Sequence, residues 1–152
     1  MCPSLARVPR EVNRFALMLA SSDCTRCSGT GALPRGMTCL CVCRRVTRWS
    51  LGRWHEFDWG DLRYKHKFGT YCYPRQEYRA DLQLAAHRAL DEGGLYRLFE
   101  LYHLRSRDLR ECTAALGISR GEFFHAVYRA EYWLGRELLR SGLYPVRRYL
   151  QN

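Results

Sequence analysis

The run CTRCSGTGALPRGMTCLCVC, residues 24–43, holds five of the chain's eight cysteines. Cys24 and Cys27 are spaced so that two thiolates reach one ion at about 2.3 Å each, and Gly29 and Gly31 let the backbone fold beneath it. A knuckle of this kind supplies half of a tetrahedral site. The other half must come from two of Cys39, Cys41 and Cys43, reached through Pro34-Arg35-Gly36, which suits a hairpin turn. Along a strand these three alternate residues point to one side, so two complete the site and one is spare. The spacing leaves open which two. One structural zinc ion is the expected cofactor, stabilising a segment too short for a core of its own. A dithiol redox pair is the plain alternative that a fifth cysteine leaves.

Other chemistry-bearing residues are less organised. His55, Glu56, Asp58 and Asp61 have the donor types for a catalytic cation, but no second motif completes a site, and they read as exposed loop polars. His66 and Cys72 read as non-ligands. No catalytic residues are assigned, and an enzyme is not expected. Between residues 44 and 79, Trp49, Trp54, Phe57, Trp59, Tyr64, Phe68, Tyr71, Tyr73 and Tyr78 alternate with arginines and two lysines. Such rings stack on unpaired bases while cations track phosphates. In a small protein they equally make a satellite core joining the zinc hairpin to the helices.

The elements that must position these groups are mostly helical. Leu109–Leu139 reads as a helix, a three-residue corner and a longer helix. Gly117 supplies a left-handed residue, Ile118 an apolar plug and Ser119 an N-cap oxygen. Phe123, Ala126, Val127, Ala130, Trp133, Leu134 and Leu138 continue an apolar stripe at three- and four-residue steps, which is the expected buried face. Arg120, Glu122, Phe124, His125, Tyr128, Arg129 and Arg136 fall on the opposite face. Upstream, Arg10–Ala20, Ala80–Asp91 and Leu95–Leu104 read as helices, the second stopped by Gly93-Gly94.

The corner resembles the helix-turn-helix of bacterial sigma-factor region four and related response regulators. Leu109, Glu111, Leu116, Gly117, Ile118, Ser119, Gly121, Val127, Arg129, Ala130 and Leu134 match that pattern in register, while Phe124 and Glu131 depart from it. The resemblance implies DNA contacts from Ser119, Arg120, Glu122, Phe124, His125, Tyr128 and Arg129. The CxxCxGxG run resembles the zinc hairpins of DnaJ-type modules, with CLCVC where a second such run stands in that family. A zinc element with a helix-turn-helix in a small basic protein looks like phage late-gene antiterminators of the Q type. That resemblance implies double-stranded DNA and RNA polymerase as partners.

Composition agrees with a polyanionic partner. The 152 residues carry a net charge of +10, almost all of it arginine, with 47% hydrophobic residues for a core. Net acid is confined to residues 80–104, which reads as scaffold. No apolar run approaches the roughly eighteen residues of a membrane span, so the cytoplasm of a bacterial host is the expected compartment. The expected fold is mainly α, a helix-turn-helix bundle with a small zinc-bound β-hairpin inserted near the N-terminus. Its expected divisions are an N-terminal helix (1–22), a zinc hairpin (23–44), a basic and aromatic connecting region (45–79) and a helical domain (80–152). Two functions are carried forward: a DNA-binding transcription regulator of late genes, by antitermination or activation, and a zinc-containing protein-interaction adaptor. Oligomeric state is left open.

Overall fold

The structure is a computed structural model describing residues 18–68, 73–91 and 94–145, with the side chains of 58–74 outside it. Two short antiparallel strands, β1 (Ala32–Leu33) and β2 (Met37–Thr38), lie near the start of the described residues, with Ala32 opposite Thr38 and Leu33 opposite Met37. The Pro34–Gly36 turn joins them. Five helices follow: α1 (Leu40–Phe68), α2 (Tyr73–Leu90), α3 (Leu95–Phe99), α4 (Leu109–Leu116) and α5 (Arg120–Ser141). A π-helical turn, Glu100–Leu104, continues α3. The architecture is mainly helical with a small hairpin near the N-terminus, as the sequence leads one to expect.

The central element is α5, against which α1, α2 and α3 all pack. Its start is set by Ser119 and its end by Gly142, which is left-handed. Two apolar clusters share it. Its first half places Phe123 and Val127 with Leu98 and Cys112, bordered by Tyr102, Leu109, Leu116 and Ile118. Its second half places Ala130, Leu134 and Leu138 with Val42, Val46, Phe57, Tyr78, Leu82 and Phe99. Ala126 lies at the edge of both.

One member of the expected stripe is misplaced: Trp133 is 42% exposed, whereas Glu131 is buried. The cause is α1, whose crossing rotates the covered face of α5 toward Glu131 and Gly135. At Gly135 a Cβ would sit 2.6 Å from the Cys43 carbonyl carbon, so the two backbones touch there and only glycine fits.

The region read as a connection contributes a long helix instead. Val42, Val46, Thr47, Ser50 and Phe57 of α1 are buried at helical intervals; of the two polar side chains Thr47 is satisfied, whereas the Ser50 hydroxyl has no hydrogen-bond partner among the described residues. The Thr47 hydroxyl donates to the Glu131 carbonyl at 2.7 Å, and the Ser50 carbonyl accepts from the Tyr78 hydroxyl at 3.1 Å. Phe57 and Tyr78 meet edge to face with centroids 5.3 Å apart, and Trp54 Nε1 donates to the Arg79 carbonyl. Phe57 and Tyr78 are core and Trp54 packs against them, whereas Trp49 is exposed; the side chains of Trp59, Tyr64, Phe68, Tyr71 and Tyr73 lie outside the described residues. His55 and Glu56 lie on α1 rather than in a loop; His55 Nε2 meets the His103 carbonyl at 2.8 Å and Glu56 pairs with Arg53. Most of the expected Arg10–Ala20 helix, the side chains of Asp58, Asp61 and His66, and the whole of Cys72 lie outside the described residues.

Candidate functional site

The cysteine knuckle folds on its own backbone. The Ser28 N–H donates to the Cys24 carbonyl at 2.9 Å and Thr30 N–H to the Cys27 carbonyl at 3.0 Å, while the Thr30 hydroxyl caps the same oxygen. Cys39 is brought alongside by its own N–H, which donates to the Gly31 carbonyl at 2.9 Å. The Sγ atoms of Cys24, Cys27, Cys39 and Cys41 consequently lie within 4.8 Å of one another. Cys24 and Cys39 are 3.7 Å apart, as are Cys27 and Cys41. A tetrahedron of thiolates about 2.3 Å from a metal has edges of about 3.8 Å; two of the separations match that edge and all lie within 4.8 Å, so the four thiols could hold one ion.

Cys43 does not join them. The expectation that Cys39, Cys41 and Cys43 share a strand face fails because helix α1 begins at Leu40. On a helix a step of two residues turns the side chain about 200°, so Cys43 points away from Cys41 and into the contact with α5. It is fully buried, and burial pushes its thiol up to about 12.

The four clustered thiols differ in proton affinity. At Cys27, burial raises the pKa, but N–H groups of Gly31 and Gly29 and the neighbouring thiols outweigh it and bring the group down to about 6. Cys24 is lowered by the N–H groups of Cys27 and Arg26. Burial raises Cys39 to about 12 and raises Cys41. Four thiols this close cannot all ionise without a cation between them, and a bound metal would displace their protons.

The corner between α4 and α5 is built as its residues suggest. Asp108 caps α4, its carboxylate accepting from Glu111 N–H at 2.8 Å. Gly117 is left-handed with φ 65°, and its N–H returns to the Thr113 carbonyl. Ser119 and Glu122 cap each other reciprocally, each side chain accepting from the other's backbone N–H at 3.2 Å.

Of the residues assigned by resemblance, Ser119, Arg120, Glu122, Phe124, His125, Tyr128 and Arg129 are all exposed. They fall into two strips. Glu122, His125 and Arg129 share one side of α5, and Phe124 and Tyr128 lie on the flank toward α1. Arg120 stands over the Phe124 ring at 5.7 Å, and Arg44 of α1 over the Tyr128 ring at 4.2 Å.

Beneath the second strip lies a group that sequence reasoning registered only as a departure from pattern. Glu131 is buried and receives Arg44 Nε at 3.0 Å and Arg48 Nε at 3.6 Å. His103 Nε2 is 3.9 Å away, and that ring is held near pKa 4 by burial, Arg48 and His55. Arg44 and Arg48, four residues apart on α1, were the available signal for a carboxylate partner. The carboxylate thus ties the first turns of α1, directly after Cys41, to the middle of α5.

Comparison with protein-family models, curated proteins and solved structures finds no match to the chain. Among the described residues no helix is long and apolar enough to cross a membrane.

Proposed function

We propose that this protein is a DNA-binding transcription regulator of the phage late-gene kind, acting with RNA polymerase by antitermination or activation and braced by one structural zinc ion. The observation that carries the reading is the exposed start of α5. The capped corner leaves Arg120 exposed on the first turn beside Phe124, and His125 and Arg129 exposed on the other strip; Arg120 and Arg129 have no carboxylate partner among the described residues. An exposed helix N-terminus and arginines without a carboxylate partner suit phosphates and base edges. The net charge of +10 supports a polyanionic partner. Zinc is the proposed ion because four thiolates at tetrahedral spacing favour it over oxygen-seeking cations.

Affinity for duplex DNA measured against salt tests this. Arg120→Ala and Arg129→Ala should each weaken binding and reduce the log–log salt slope by about one, with unchanged melting temperature. Variants that bind duplex like the parent would remove the reading. The second reading, a zinc-containing adaptor for a protein partner, is favoured by the exposed rings of Phe124 and Tyr128. An apolar protein interface would show little salt dependence.

A further inference from the structure

We propose that Phe124 and Tyr128 form a stacking platform for unpaired bases, so that the protein takes single-stranded nucleic acid beside the strip that carries Arg129. The proposal deepens the DNA-binding reading, resting on it only for the neighbouring duplex.

Phe124 is 36% exposed and Tyr128 42%, one helical turn apart on the same flank of α5. Lone exposed rings are ordinary, but these two are mounted. Phe124 is braced edge-on by buried Phe123, with centroids 5.6 Å apart. Tyr128 is backed by the Arg44 guanidinium, which is fixed in turn by its 3.0 Å pair with buried Glu131. Rings held in place pay little entropy on stacking.

The charge around the rings selects the occupant. Arg44 and Arg120 stand over the two rings and Arg48 shares Glu131 with Arg44, so that carboxylate can neutralise only one of the three. Glu122 turns to the other side of α5. Apolar rings framed by surplus guanidinium groups match a strand of bases on phosphates, since every base offers a face to stack and every linkage an anion. A duplex cannot use them, because its bases are stacked on each other and show only edges in the grooves. The rings of Phe124 and Tyr128 have no donor suited to base edges except the one phenolic hydroxyl. The two strips of α5 therefore divide the work, with Arg129 and His125 toward duplex and the rings toward an unpaired strand.

The test is fluorescence anisotropy of the zinc-loaded full chain with a blunt duplex, the same duplex carrying a single-stranded extension, and the extension alone, in DNA and in RNA form. An extension of either sugar should raise affinity about tenfold over the blunt duplex. Phe124→Ala and Tyr128→Ala should each abolish most of that gain while leaving melting temperature unchanged, and Tyr128→Phe should retain it. Equal affinity of the parent for blunt and extended duplex would overturn the platform, as would a gain that survives both alanine variants. Loss of polymerase binding in those variants, with no change in nucleic-acid affinity, would overturn it in favour of a protein surface. Binding to the extension alone, with none to the duplex, would keep the platform and remove the duplex reading.

Discussion

The cysteine hairpin and the Gly117 corner both reverse the chain tightly, yet they are held by different physics. The corner has its own apolar cluster around Phe123, Cys112 and Leu98, together with two capped helix ends. The hairpin has two-residue strands, and its buried residues are chiefly the cysteines themselves. Where a segment can bury large side chains, it needs only local capping to fix its geometry. Where it cannot, covalent or metal bonds must supply the missing energy. Both reversals then bear on one helix, α5, through Phe123 at its start and Gly135 near its middle.

The largest effect expected from this difference is on metal removal. A structural zinc in a segment of this size contributes on the order of 10 kcal/mol to its folding. Chelation should release one ion per chain and expose the amides of residues 21–39 to hydrogen exchange, while those of α4 and the start of α5 stay protected. Cys24→Ser combined with Cys27→Ser should give the same pattern without chelator. Cys43→Ala should keep the ion, because that thiol faces α5. Metal retained in the double variant, or lost in Cys43→Ala, would refute the ligand set.

The same contrast explains what could be read from the sequence. The corner is legible because its devices are local: Gly117 and Ser119 lie two residues apart, and Glu122, which sequence spacing places only on the outward face, completes the cap three residues further on. The knuckle was legible for the same reason, down to the turn at Pro34–Gly36. The second pair of thiols was not, since choosing between Cys41 and Cys43 depends on where α1 begins. That helix is obscured by its polar inward positions, Thr47, whose hydroxyl finds the Glu131 carbonyl far away in sequence, and Ser50, whose hydroxyl has no hydrogen-bond partner among the described residues. Glu131 and Gly135 look unsuited to a buried helix face until the partner that crosses them is known. Helical spacing puts Trp133 on the inward apolar stripe, and long-range packing decides otherwise.

Next in size are two substitutions on α5 that separate its two attachments. Phe123→Ala empties a fully buried site and should cost about 3–5 kcal/mol, measured by urea unfolding. Its damage should stay with α4 and the α3 turn, leaving metal affinity close to that of the parent. Gly135→Ala should cost about 1–3 kcal/mol or more, because the added methyl meets backbone and not a movable side chain. The displaced neighbour is Cys43, two residues from a thiol of the metal group, so this variant should also lose metal to a competing chelator faster. If Phe123→Ala weakens metal binding as much as Gly135→Ala does, the two attachments are not separable.

The smallest effect tests whether the corner's cap serves stability or recognition. Ser119→Ala removes the oxygen that accepts from Glu122 N–H, and should cost about 1 kcal/mol, or a fall of about 2–4 °C in melting temperature. Duplex affinity should fall little, because Arg120 and Arg129 remain on the helix. Ser119→Asp should do the opposite. Its carboxylate caps as well as serine and complements the positive helix end, so melting temperature is kept, but the same charge faces an incoming phosphate. Weaker duplex binding with unchanged melting is therefore expected for aspartate, and lower melting with near-parental binding for alanine. Aspartate that melts normally and binds duplex as tightly as serine would mean that no phosphate approaches this end of α5, and the DNA reading of the corner would fall with it.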